Sequence, residues 1–317
     1  MIENAGFEEI RRALEFSRLS RFAKATRRIV HNFSEDNIEE RGHFHVDVMS
    51  GIGSGLIVYQ NFRFFLLTAR HNLKQLYPLE LRNESPIWVP KDHPPKWDDM
   101  LDFFMARKIW YIGELIDYER SSFDPQDVVL IEFFFPMKPM SLPQQFINVE
   151  NSDYFLEREE FFEKQILMCS GFPAKYNVYE NLEEHPEFTQ STTFNLDHKV
   201  GFFTREDNDG FVSFIDDMKI THEELNGMSG GPVYSVYHDD SEVKLAGISL
   251  SGGGNKLRFL PAYVFHDAVI SYKNARCEVV DEASYIADET ERPDEMLRMY
   301  CEMESKDENF RRQLGLC

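Results

Sequence analysis

Gly227-Met228-Ser229-Gly230-Gly231-Pro232 sets three glycines around one serine and opens into the β-prone run Val233-Tyr234-Ser235-Val236-Tyr237. Glycine lets a backbone turn sharply and leaves amide hydrogens directed into a cleft rather than into a strand ladder. A serine on such a turn has the setting that a nucleophile requires. A plain Gly-rich hairpin turn is the bland alternative, and the motif by itself does not decide between them.

Two upstream stretches bear on the choice. Phe64-Phe65-Leu66-Leu67-Thr68-Ala69-Arg70-His71 is a strand-like apolar run that ends on a histidine, and Asp127-Val128-Val129-Leu130-Ile131 opens another buried strand on an aspartate. A serine hydroxyl is a weak nucleophile near neutral pH and needs an imidazole to take its proton. The imidazole in turn needs a carboxylate to fix its tautomer and stabilise its charged form. Asp124 competes for the carboxylate role, but it precedes Pro125 and reads as part of a turn, whereas Asp127 abuts the strand. The chain order His71, Asp127, Ser229 is one of the known triad orders. The pattern Gly227-Met228-Ser229-Gly230-Gly231 also satisfies the G-x-S-x-G elbow of α/β-hydrolases, which place acid and histidine after the serine. Only His238 and His266 follow Ser229, in less convincing settings.

Leu67-Thr68-Ala69-Arg70-His71 resembles the histidine motif of trypsin-like (chymotrypsin-fold) serine peptidases. Asp127-Val128-Val129-Leu130-Ile131 is similar to their aspartate motif and Gly227-Met228-Ser229-Gly230-Gly231-Pro232 to their serine motif. Gly53-Ser54-Gly55-Leu56-Ile57-Val58 is similar to the first strand of non-zymogen bacterial members, so the resemblance runs over about residues 45 to 272. It implies a mainly β protein of two six-stranded antiparallel β-barrels of chymotrypsin type, with N- and C-terminal helical extensions. It implies a serine endopeptidase in which Ser229 attacks, His71 moves the proton, Asp127 orients His71, and the N–H groups of Gly227 and Ser229 form the oxyanion hole. Glu223, six positions before Ser229, falls where the family often has the floor of its primary pocket, and Leu250, Ser251 and Gly252 fall on a wall of that pocket. The expected partner is a protein or peptide substrate, with no metal and no organic cofactor. No activation-cleavage motif with a new Ile or Val terminus is present, so control is expected from a regulatory protein partner or the flanking helices. The alternative reading is a catalytically silent protein-binding module on the same fold.

Composition narrows the classes. The chain has 317 residues, 42% of them apolar, enough for a sizeable core. A formal charge of −21 argues against nucleic acid and anionic membrane surfaces as partners. Cys169, Cys277, Cys301 and Cys317 are scattered and make no C-x-x-C pair, which reads as free thiols in a reducing compartment. Nothing near Met1 resembles a signal peptide and no run reaches transmembrane length, so a cytoplasmic protein is expected. His43 and His45 read as alternating positions of a strand or loop rather than as metal ligands.

Three regions follow. Residues 1–44 read as an N-terminal helical arm and connector, with Phe7, Ile10, Leu14, Phe22 and Val30 near helical spacing and Arg11, Arg12, Arg21, Arg27 and Arg28 between them. Residues 45–272 form the peptidase-like domain, split near 136–164, with a Pro- and Trp-bearing insertion between residues 72 and 126. Residues 273–317 read as an acidic helical appendix.

Overall fold

A computed structural model of the protein describes residues 7–32, 49–50, 53–74, 87–95, 102–117, 124–134, 136, 145–181, 190–206, 209–214, 222–237, 242–253 and 256–280. His43, His45 and the expected helices of 281–317 lie outside these residues.

Two short helices, α1 (Phe7–Ser17) and α2 (Arg21–Ala25), lead into β1 (Thr26–Arg28), β2 (Val30–Asn32) and β3 (Met49–Ser50). Next come β4 (Ser54–Gln60) and β5 (Arg63–Ala69), an antiparallel hairpin whose two turn residues, Asn61 and Phe62, both have positive φ. Such a turn matches the right-handed twist of the strands it joins. One helical turn, α3 (His71–Lys74), follows, and then β6 (Ile87–Pro90), β7 (Phe103–Trp110), β8 (Val128–Phe133) and β9 (Ile147–Asn148). Hydrogen bonding runs β1-β4-β5-β8-β7-β6-β2-β3, with β9 parallel to β4.

The second unit contains β10 (Ile166–Gly171), a β11–β12 ribbon (Tyr179–Asn181, Gln190–Thr192), β13 (Asp197–Glu206) and β14 (Asp209–Phe214). It continues through α4 (His222–Leu225), β15 (Pro232–Ser235), β16 (Leu245–Gly253) and β17 (Lys256–Pro261). Six of these strands close as β10-β13-β14-β17-β16-β15, since β15 pairs back onto β10. Helix α5 (Ala262–Ile270) then carries the chain to β18 (Cys277–Val279), which joins β7 as the tenth strand of the first sheet.

The apolar runs explain why two β units lie back to back. Every residue of β4 and β8 is buried, so each strand has two covered faces. Ile57, Leu66, Val129 and Ile131 fill the hollow of the first sheet, while their neighbours Leu56, Val58, Leu67 and Leu130 point the other way. These latter residues meet Phe22, Met168, Tyr234, Ile248 and Phe265 in a core at the seam. Leu167, Cys169, Val233 and Phe259 fill the barrel. Alternation at period two thus feeds three cores from two sheets.

The second unit is the expected six-stranded barrel, but the first is a ten-stranded half-barrel. It gains strands from segments read as helix, insertion and appendix, namely β1, β2, β6 and β18. The N-terminal arm is therefore not helical throughout. Thr26, Ile29 and Val30 are β-branched and lie in or beside strands, and β1 pairs with β4. Arg27 and Arg28, read as the basic face of a helix, are buried. Arg27 donates to the carbonyls of Pro90 (2.8 Å) and Lys91 (2.6 Å) and to the side chain of Gln145. Arg28 donates to Thr193 O (2.5 Å) and Asn177 O (2.9 Å) and lies over the Phe194 ring. Burial lowers their pKa values to about 9 and about 10, with the Asp92 charge working the other way for Arg27. Among the described residues, no helix is long and apolar enough to cross a membrane.

Candidate active site

Strands β5 and β8 are paired, with Ala69 opposite Val128, so the residues just past their adjacent ends are neighbours. Those residues are His71 and Asp127. The Arg70 amide donates to Asp127 O at 3.2 Å, and the His71 amide donates to Asp127 Oδ1 at 2.8 Å. Asp127 Oδ2 lies 2.6 Å from His71 Nδ1. One carboxylate therefore grips residue 71 by backbone and ring together. In the tautomer that carries its proton on Nδ1, Nε2 is the acceptor. The two side chains are 33% and 22% exposed, open enough for a reactant to reach the imidazole. Asp124 serves the turn instead, accepting from the amides of Gln126 (2.9 Å) and Asp127 (3.0 Å).

Ser229 sits on a turn anchored inward by Met228, which is fully buried in the barrel core. Gly230 has φ +84°, and a Cβ there would come within 2.2 Å of Ser54 O and 2.3 Å of Thr68 Oγ1. Only glycine lets the turn lie this close to β4 and β5. The contact brings it beside His71, because the next residue, Asn72, donates through Nδ2 to Ser229 O at 2.8 Å. The Ser54 amide donates to the same carbonyl at 2.9 Å. Ser229 Oγ donates to Leu250 O at 3.2 Å, and among the described residues no hydrogen bond joins it to His71.

Backbone amides alternate along this turn. Met228 N–H is tied to Leu225 O at 3.0 Å, whereas the N–H groups of Gly227 and Ser229 donate to nothing among the described residues. Their directions are fixed from the other end of each peptide plane, since C=O and N–H of a trans peptide point opposite ways. Asn226 O, on the peptide of Gly227 N–H, accepts from Ala174 N–H at 2.7 Å. Met228 O, on the peptide of Ser229 N–H, accepts from Gly231 N–H at 2.9 Å. Gly227 has φ +94°, a conformation that a side chain would strain. Two preset donors beside a serine are the requirement for holding a developing oxyanion.

The residues expected to contact substrate fall into two groups. Leu250 is buried beside the serine hydroxyl, and Ser251 and Gly252 follow it along the outer end of β16, half-buried or exposed. Glu223, expected at a pocket floor, is exposed in the first turn of α4. The side chain that turns inward from this helix is Leu225, which lies against Gly252. Glu224 meets Lys175 Nζ at 3.1 Å. Cys169 is buried, and burial pushes its thiol up to about 12, which makes it a core residue and not a second nucleophile.

Asn72 carries no sequence signal beyond following His71, and the grip of Ser54 on the turn is equally silent in the sequence. Among the described residues, no group of three His, Cys, Asp or Glu side chains is placed to hold a metal ion. No protein-family model matches the chain, and it has no match among the curated proteins.

Proposed function

We propose that this chain is a serine endopeptidase of the trypsin-like, chymotrypsin-fold kind. Ser229 Oγ attacks the scissile carbonyl carbon as its proton passes to His71 Nε2, and Asp127 stabilises the imidazolium through Nδ1–H. The N–H groups of Gly227 and Ser229 hold the oxyanion, each worth about 3–4 kcal/mol in such sites. When the tetrahedral intermediate collapses, the C–N bond breaks and His71 returns the proton to the leaving amine. Water then repeats the sequence on the acyl-enzyme and frees Ser229.

The observation that carries this reading is the seam contact, in which Asn72 and Ser54 hold the Ser229 carbonyl beside the His71–Asp127 pair. The reading includes a protein or peptide substrate, a regulatory partner or flanking element as the control, and a reducing, cytoplasmic setting. The unpaired state of Cys169 and Cys277 supports the last. A protein-binding module without turnover is the second reading, favoured by the bond from Ser229 Oγ to Leu250 O in place of one to His71. Incubating the purified chain with a mixed peptide library separates the two. New peptide termini that are absent with Ser229→Ala support the peptidase, and an uncut library supports the binding module.

A further inference from the structure

Ser54 is fully buried at the start of β4 and makes two hydrogen bonds to the Ser229 turn and one to the exit of β10. Its amide donates to Ser229 O at 2.9 Å. Its hydroxyl accepts from Phe172 N–H at 2.8 Å and donates to Gly227 O at 2.7 Å. The hydroxyl thus links the exit of β10 to the peptide between Gly227 and Met228. Two residues on, Ala174 N–H holds the preceding peptide through Asn226 O.

Gly227 is therefore gripped on both sides, by Ala174 through the peptide before it and by Ser54 through the peptide after it. A residue without a side chain offers little steric resistance to rotation of the peptides that flank it. The peptides that carry and join the amides of Gly227 and Ser229 are held by bonds on the carbonyls of Asn226, Gly227 and Met228. Removing the Ser54 hydroxyl deletes the bond on Gly227 O and leaves Phe172 N–H without its acceptor. Glycine at position 171 gives the hydroxyl its space, since a Cβ there would lie 2.9 Å from Ser54 Oγ.

We propose that Ser54 is a positioning residue for the oxyanion hole, its hydroxyl fixing the Gly227–Met228 peptide so that the N–H groups of Gly227 and Ser229 stay converged; this rests on the hydrolase reading above. Ser54 is fully buried and makes no hydrogen bond to His71 or Asp127, so its loss is expected to act on kcat and to spare both substrate affinity and the titration of His71.

The test compares wild type, Ser229→Ala and Ser54→Ala in hydrolysis of a p-nitrophenyl ester and in the rate of labelling by a fluorophosphonate, whose phosphoryl oxygen occupies the same hole. Ser54→Ala is expected to lower kcat and the labelling rate by roughly ten- to a hundredfold, less than the loss of a donor itself. KM should stay within about twofold, and the midpoint of the pH–rate profile should not move. If Ser54→Ala fails to fold, Ser54→Cys, the same shape with a larger sulfur and a weaker donor, takes its place and should show the same kcat-selective loss. An unchanged kcat, or kcat and KM worsening together with a shifted pH midpoint, overturns the positioning role while leaving the hydrolase reading intact. A wild type that neither turns over the ester nor takes up the probe overturns both.

Discussion

His71 and Asp127 are joined by their own side chains at the ends of two paired strands of one sheet, whereas Ser229 is held almost wholly through backbone carbonyls gripped from two different units. The first arrangement is local. It needs β5 beside β8 and little else. The second depends on Ser54 from β4, on Asn72 from α3 and on Ala174 from the barrel side. A change at the seam should therefore disturb the Ser229 turn and the amides of Gly227 and Ser229 while leaving the His71–Asp127 pair as it is.

The largest effects come from breaking either half outright. Ser229→Ala should lower kcat/KM by about 10⁴ or more, and Asp127→Asn by about 10⁴ through the wrong imidazole tautomer, both with unchanged folding. Steady-state kinetics alongside a thermal melt checks this. Retention of more than a tenth of the activity in either variant would break the comparison. Asn72→Ala sharpens it. Loss of the bond to Ser229 O should lower kcat by roughly tenfold at a stability cost of about 1 kcal/mol, with the pH–rate midpoint unmoved. A shifted midpoint would mean that the two halves are not independent.

Smaller effects fall on the frame that carries both halves. Arg27→Met leaves the carbonyls of Pro90 and Lys91 without their buried donor and should cost about 2–3 kcal/mol in urea unfolding. A loss below about 0.5 kcal/mol would show that Arg27 does not brace the first sheet. Acid should act on the same region. Burial, with the Arg27 charge second, holds His93 at about 4; burial, with the Arg18 charge second, holds His198 at about 4, against an ordinary 6.5. Above pH 6.5 neither state binds these protons. Between about 6.5 and 4 the unfolded chain takes them up and the folded chain does not, so stability falls as pH drops through that window. Melting temperatures across it should decline in wild type and decline less in His198→Gln, and equal slopes would remove His198 from the cause. Smallest of all, millimolar dithiothreitol should leave the melting temperature unchanged, since Cys169 and Cys277 are unpaired. A clear drop would reveal a disulfide.

How much of this was legible in the sequence follows the same division. The His71–Asp127 pairing was readable, because each residue stands beside an apolar run that reads as a buried strand. The glycines around Ser229 marked the turn. Backbone grip was not readable, since any residue but proline can supply the amide that holds Asn226 O, and Ser54 and Asn72 look like ordinary polar residues. Arg27 and Arg28 misled for a related reason: charge in a helix-spaced pattern reads as one basic helix, whereas backbone carbonyls such as those of Pro90, Lys91, Asn177 and Thr193 make their burial tolerable. Glu223 was placed by counting residues from Ser229, and it stands exposed in the first turn of α4.

The central claim is that Ser229 is a nucleophile activated by His71 and served by preset amide donors. Intact-mass spectrometry of the purified protein after a fluorophosphonate pulse addresses it directly, with peptide mapping of the adduct. The expected result is one phosphonyl group per chain, on Ser229, formed by wild type and absent from Ser229→Ala and His71→Ala. A wild type whose mass does not change, or an adduct that persists in Ser229→Ala, would contradict it.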